Sequence, residues 1–158
     1  MTVLADIRPS EWELPLFVHV LGGMALVGAL VLAATYLVPA WRGGAVEPLR
    51  NGFRTLLYAA LPSFLVLRIS AEWLADEEGY ADLPDEAIPD WIDLGYIISD
   101  AGGLLLIIAL IVSGVAVRRT RDPGADGPGT SVRVTTVLVS ILLVAYLVAI
   151  WAMTTRPG

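Results

Sequence analysis

The chain has 158 residues, of which 56% are hydrophobic, and its mean hydropathy is +0.72. A water-soluble domain of this composition is excluded, because one small core would leave most of the apolar surface in contact with water. A net charge of -6 argues against nucleic acid as a partner, since neutralising phosphates requires a basic face. The chain contains no cysteine, which excludes disulfides, thiolate nucleophiles, iron–sulfur clusters and c-type haem attachment.

Four apolar stretches are each long enough to cross a bilayer as a helix, which takes about 20 residues. They cover residues 14–38, 53–74, 94–117 and 132–153. The first stretch does not fit a signal peptide, because no positively charged region precedes it and the apolar run is too long. The sequence therefore predicts an all-α fold, a single domain in which four transmembrane helices form an up-down bundle.

Two of these spans contain residues that predict local structure. Pro62 removes a helical hydrogen bond and is expected to kink the second span near its middle. In the first span, Gly22, Ala29 and Ala33 recur at near-helical spacing. Small residues of this kind allow close approach of helices in membranes, so this face is predicted to contact another helix rather than lipid.

The connections between the spans predict the orientation, because arginine in short loops is retained in the cytoplasm. Seven of the ten basic residues lie in or beside the first and third connections: Arg42, Arg50, Arg54, Arg118, Arg119, Arg121 and Arg133. The third connection, residues 119–131, is predicted to be a flexible cytoplasmic linker, since it is rich in glycine and proline. Residues 75–93 form an acidic outer loop without a single basic residue. Both termini are then expected on the outer side of a bacterial plasma (inner) membrane.

Ionisable side chains inside the spans are the candidates for function, because they are costly in lipid and usually face the bundle interior or a wet cavity. Three are present, His19, Arg68 and Asp100, one on each of the first three spans. Helical rise places each of them roughly 8–9 Å below the predicted outer boundary. The sequence therefore predicts one polar layer near the outer surface.

Two interpretations of this layer remain open. Arg68 and Asp100 can form a structural interhelical ion pair that neutralises both charges, with Glu72, one turn above Arg68, sharing the guanidinium. Alternatively, the pair lines an outward-facing pocket in which Arg68 binds a small polar or anionic ligand. His19 is expected to point inward and to bond with Asp100, Tyr96 or a backbone carbonyl.

His19 is also the one residue in the chain that can bind a metal or haem iron through an imidazole. Haem b held by two histidines would require a homodimer, and haem held by histidine and methionine would use Met153, which lies at a similar depth on the last span. A copper(I) site from His19 and Met153 has suitable ligand softness but only two ligands. No cofactor is predicted with these ligands alone.

The motif Phe17-Val-His-Val-Leu-Gly-Gly, followed by Gly28, resembles the opening helix of small bacterial membrane proteins loosely related to the copper-resistance D family. The stretches Leu67-Arg-Ile-Ser-Ala-Glu-Trp and Pro89-Asp-Trp-Ile-Asp are similar to an uncharacterised group of actinobacterial four-helix membrane proteins. The resemblance implies the fold and the membrane location, with copper handling as a further implication. The single histidine and three methionines count against copper transport.

Two hypotheses for function follow. The first is a non-enzymatic integral membrane protein, either an accessory subunit of a larger membrane complex or a small binding or transport module, whose polar layer consists of His19, Arg68 and Asp100. The second is a haem- or copper-binding redox protein centred on His19, which in the bis-histidine case would be a homodimer. The lipid bilayer is the partner common to both hypotheses.

Overall fold

A computed structural model describes residues 13–43, 45–80, 84, 88–120 and 129–155. Helix α1 spans Glu13–Gly43, α2 spans Val46–Glu77, α3 spans Asp90–Arg119 and α4 spans Gly129–Thr155. The described residues include no strand, and all four helices are long and apolar enough to cross a membrane. The predicted all-α bundle of four transmembrane helices is confirmed.

The helices extend beyond the predicted spans at both ends. The first connection was expected to cover residues 39–52, yet α1 continues through Pro39 to Gly43 and α2 begins at Val46. Residues 46–55 remain helical because the segment is amphipathic, with one face packed against the bundle and a polar face directed away from it. Leu49 and Gly52 are buried, whereas Arg50 and Arg54 are exposed.

The two long connections are shorter than expected for the same reason. Residues 75–77 of the acidic loop belong to α2 and residues 90–93 belong to α3, while 81–83 and 85–87 lie outside the described residues. Gly79 adopts a left-handed conformation with φ of 76°, which suits the residue that follows a helix end. In the predicted linker, residues 121–128 lie outside the described residues.

The helices form a ring in chain order, in which α1 packs against α2 and α4, and α3 packs against α4 and α2. One end of the bundle, here called the acidic end, contains the start of α1, the end of α2, the start of α3 and the end of α4. The opposite end, here called the arginine end, contains Arg42, Arg54, Arg118 and Arg133. Large side chains with no more than 1% exposure fill the middle of the bundle and its arginine end: Leu26, Leu30, Leu37, Leu49, Leu56, Leu106, Val132, Val139 and Leu142.

Helix α2 is irregular at the position where a proline interrupts its hydrogen bonds. Leu56–Ala60 form a π-helical segment directly before Pro62, and a widened turn of this type is a recognised companion of kinks in membrane helices. The part of α2 before this segment contacts α3 more extensively than the part after it. Helices α2 and α3 therefore separate toward the acidic end.

The close helix contact predicted for α1 is present. Gly22 is buried, and a Cβ atom at this position would lie 3.0 Å from the backbone nitrogen of Leu67 on α2. Ala29 and Ala33 on the same face are 6% and 0% exposed. The contact fixes α1 against the acidic-end part of α2, which is the part that separates from α3.

Candidate functional site

A cavity of about 410 Å³ lies between the four helices in the half of the bundle nearest the acidic end. Its volume falls within the range of small-molecule binding pockets in proteins. Every helix contributes to its wall, and the lining is mostly aliphatic and aromatic. Among the lining residues that bear functional groups are His19, Arg68, Glu78, Tyr96, Ser99, Tyr146 and Met153.

The cavity exists because small residues line it where two helices diverge. Gly23, Ala71, Gly95 and Ala149 come from the four different helices, and none of them fills the space between the backbones. On the α2–α3 side, the part of α2 that follows the π-helical segment contacts α3 less extensively than the part before it. Packing of side chains alone therefore leaves an opening at this level.

Three buried polar atoms on cavity-lining residues have no hydrogen-bond partner within the described part of the chain: Nδ1 of His19, Oγ of Ser99 and the hydroxyl of Tyr146. They come from α1, α3 and α4. Buried polar groups in native proteins are almost always paired, so each such atom requires an explanation. Three of them around one cavity indicate a position where additional hydrogen-bonding groups are accommodated.

Tyr146 is the most deeply buried of these residues, with 6% of its surface exposed. Its hydroxyl reaches α3 at Gly102, where a Cβ atom would lie only 2.7 Å from that oxygen. A larger residue at position 102 would displace the ring. The glycine thus allows the tyrosine to cross between α4 and α3 beside the cavity.

The predicted polar layer contains a charged cluster that joins α2 to α3. Nη2 of Arg68 lies 3.4 Å from Oδ1 of Asp100, and Nη1 forms a second ion pair with Glu72 one turn away on α2. The guanidinium carbon also lies 5.3 Å from the ring centroid of Tyr96, a cation–π distance. Arg68 therefore contacts three residues that were named from the sequence, Glu72, Asp100 and Tyr96.

The two carboxylates of this cluster are the exposed members. The side chains of Glu72 and Asp100 are 56% and 66% exposed, whereas that of Arg68 is 29% exposed. Arg68 and Tyr96 line the cavity, so the cluster closes the gap between the separating helices from the side. The arrangement bridges the two helices at the level where their backbones do not meet.

His19 is the remaining residue named from the sequence for this layer, and of its three expected kinds of partner it meets a backbone group. It lines the cavity from α1, and its imidazole lies against the backbone of Leu67. No hydrogen bond among the described residues joins it to Asp100 or Tyr96. The reason is geometric: α1 and α3 occupy diagonal positions in the ring, so the cavity separates His19 from these two residues.

Met153, the second candidate metal ligand, lines the same cavity from α4. Its methyl group occupies the space left by Gly95 on α3, at 2.5 Å from where a Cβ atom would be. No group of three or more His, Cys, Asp or Glu residues suited to a metal ion occurs in the described ranges. His19 therefore belongs to no such group within these ranges, although it lines the same cavity as Met153.

Two residues of the site were not identified from the sequence. Ser99 directly precedes Asp100, and Tyr146 lies in the middle of the last span among aliphatic residues. A tyrosine hydroxyl far from the interface is itself unusual, because tyrosine prefers the membrane surface. The depth of Tyr146 within the last span was therefore the feature by which it could have been identified from the sequence.

Comparison with protein-family models, with curated proteins and with solved structures finds no match to this chain.

Proposed function

We propose that this protein is a non-enzymatic membrane binding module whose cavity holds a small, mostly apolar ligand with hydrogen-bonding groups. In this proposal the acidic end faces outward from a bacterial plasma membrane, both termini are outside, and the arginine end is cytoplasmic. The arginine distribution supports this orientation, because arginines in short loops are retained in the cytoplasm. Of the seven arginines in the described ranges, six lie in the arginine-end half and Arg68 lies outside it.

The observation that carries the proposal is the coincidence of the cavity with the three partnerless polar atoms of His19, Ser99 and Tyr146. In lipid no water is available to pair with such groups, so their presence on three helices around one space is unfavourable unless something occupies it. A ligand with an apolar body matches the lining, and its polar groups would pair with the three side chains after small rotations.

The test is to fill the cavity. Ala149, which is 7% exposed and lines the cavity, would place an aromatic ring in it when replaced by phenylalanine. We expect native mass spectrometry of protein purified in mild detergent to show a bound small molecule in the parent chain and none in Ala149→Phe. Ala25→Phe is the matched control, because Ala25 is exposed on the same bundle and does not line the cavity.

Retention of the same small molecule by Ala149→Phe would contradict the proposal, as would its loss from Ala25→Phe alone. Stability separates a folding defect from a lost ligand. The filled variant should unfold at a detergent concentration no lower than the ligand-free parent, because the added ring occupies empty space.

A second candidate function, haem or copper binding, is favoured by one observation: His19 and Met153 line the same cavity. In this proposal the two side chains bind the haem iron or copper ion as axial or soft ligands. Protein purified with added haem or copper should then show a Soret band or stoichiometric metal. Both signals should disappear in His19→Ala and weaken in Met153→Leu. Unchanged loading in both variants would eliminate this candidate.

A further inference from the structure

The lining of the cavity extends to the most acidic part of the described chain. Around the end of α2 and the start of α3, the described residues contain seven carboxylates and one arginine, Arg68. The carboxylates are Glu72, Asp76, Glu77, Glu78, Asp90, Asp93 and Asp100. Glu78 itself lines the cavity. A concentration of one sign of charge at the mouth of a low-dielectric cleft raises the local concentration of opposite charges and repels like charges.

Arg68 does not reverse this balance. Its guanidinium is paired with Glu72 and Asp100 and lies over Tyr96, so two carboxyl groups already occupy this one cationic side chain. To reach the guanidinium of Arg68, an anionic ligand would have to displace the carboxylate of Glu72 or Asp100. It would then still lie close to both of these carboxylates, which would repel it. The geometry therefore disfavours the anionic ligand that the sequence alone allowed for Arg68.

The lining of the cavity suits a cation that carries apolar groups. Four aromatic residues contribute to it, Tyr80, Trp91, Tyr96 and Tyr146. Tyr80 and Trp91 meet edge to face, with ring centroids 6.4 Å apart and an interplanar angle of 86°. Aromatic faces attract cations, most strongly when the cation is poorly hydrated. A strongly hydrated metal ion is a poor match for such a lining, because too few oxygen ligands replace its water.

We propose that the ligand of this cavity is a lipophilic cation: a molecule with an apolar body, a delocalised or quaternary positive charge, and the polar groups that pair with the side chains of His19, Ser99 and Tyr146. This inference rests on the proposed binding function. Its apolar body would occupy the space between the four helices, in contact with Tyr146 and Met153. Its charge would lie toward the mouth, near Glu78 and the aromatic rings of Tyr80 and Trp91.

Two probes of nearly the same size and shape but opposite charge provide the test, tetraphenylphosphonium and tetraphenylborate. Binding to the full chain in an uncharged detergent is measured by equilibrium dialysis, and Ala149→Phe provides the background for uptake by the micelle. We expect tetraphenylphosphonium to bind at least about tenfold more tightly than tetraphenylborate, and its affinity to fall with added salt because exposed charges are screened.

Glu78→Gln should weaken tetraphenylphosphonium binding by about threefold, the size expected for one partly exposed charge. Glu47→Gln is the matched control, since Glu47 is an exposed acid in the first turn of α2 at the arginine end. It removes the same charge from the chain and should leave the affinity unchanged. Equal losses in the two variants would show that net charge, rather than the cavity mouth, selects the ligand, and would overturn the proposal.

Equal or tighter binding of tetraphenylborate would also overturn it. Failure of both probes to bind would overturn the cationic ligand as well. If a co-purified molecule is still lost from Ala149→Phe, the binding function survives that failure. If no molecule is displaced by filling the cavity, the proposed function fails together with the inference.

Discussion

At the arginine end the four helices meet around large aliphatic side chains, whereas at the acidic end they surround a cavity of about 410 Å³. Leu37, Leu49 and Leu56 are each 0% exposed in the first region. The second is lined by small residues, aromatic rings and three polar atoms without partners. Both regions use the same four helices, so the difference shows that one bundle combines a closely packed end with an open one.

The α1–α2 contact is closely packed even near the acidic end, so the contrast does not apply to this pair of helices. Disrupting the contact gives the largest expected loss of stability. Gly22→Leu should destabilise the protein by about 3 kcal/mol, because the new side chain would meet the backbone of Leu67, which cannot move aside as a flexible side chain does. The free energy of unfolding is measured by titration with a denaturing detergent. A loss of this size would show that only the α2–α3 side of the acidic end is loosely packed.

Gly28→Leu is the control for that experiment. Gly28 lies on the same helix, is exposed, and has nothing within 4 Å of an added Cβ atom. Leucine there should leave stability unchanged or raise it slightly, because glycine is the weaker helix former. Equal effects of the two substitutions would place the Gly22 face toward lipid and contradict the packing described here.

The second test compares one leucine from each region. Leu37→Ala should cost about 2 kcal/mol, the low end for a buried leucine, because lipid rather than water surrounds the unpacked helices and the hydrophobic transfer contribution is small. Leu16→Ala should cost less than about 1 kcal/mol, since Leu16 lines the existing cavity and has fewer contacts to lose. Equal losses in detergent unfolding would show that the cavity region is as tightly packed as the rest.

The contrast between the regions also explains how much was predictable from the sequence. Four spans follow from hydrophobic length alone, since only helices satisfy the backbone of a single chain of this kind in lipid. The arginine positions distinguish the two ends and predict that the acidic end faces outward. The contact at Gly22 followed from residue size.

Side-chain partners were less predictable because they depend on which helices are neighbours. Depth placed His19, Arg68 and Asp100 in one layer, but depth contains no information about position around the ring. Arg68 and Asp100 lie on neighbouring helices and meet, whereas α1 lies diagonally across from α3, so His19 and Asp100 do not. The cavity itself depends on the separation of α2 from α3, which no local pattern in either span specifies.

A third test compares a hydroxyl from each region. The hydroxyl of Thr136 is buried near the arginine end and donates to the carbonyl of Val132 at 2.8 Å, with the carbonyl of Leu37 at 3.4 Å. Thr136→Val should therefore cost about 1 kcal/mol. Tyr146→Phe should leave the ligand-free protein unchanged or more stable by up to about 1 kcal/mol, because its hydroxyl has no partner in the described chain.

The same substitution reports on the cavity. If the hydroxyl of Tyr146 pairs with the ligand, Tyr146→Phe should reduce ligand-dependent stabilisation while the ligand-free protein remains intact. Thermal unfolding of protein that retains the co-purified small molecule, and of protein freed of it, gives both values; tetraphenylphosphonium has no hydrogen-bonding atom and is not used for this measurement. A marked loss of stability without ligand would mean that the hydroxyl has a structural partner, and the argument from partnerless atoms would lose its most buried member.

The smallest expected effect concerns the ion pair that bridges α2 and α3 beside the cavity. A double-mutant cycle of Arg68→Leu and Asp100→Asn should give a coupling energy of about 0.5 kcal/mol. The value is modest because the Asp100 side chain is 66% exposed and Arg68 retains Glu72 when Asp100 is neutralised.

Repeating the cycle in a Glu72→Gln background should increase the coupling, since Asp100 is then the remaining carboxylate partner. The free energy of unfolding in detergent is again the measurement, and strictly additive effects in both backgrounds would show that the pair does not hold the two helices together. A clear coupling would instead show that the open region is closed from the side by charge rather than by packing, which is the physical difference between the two ends of this bundle.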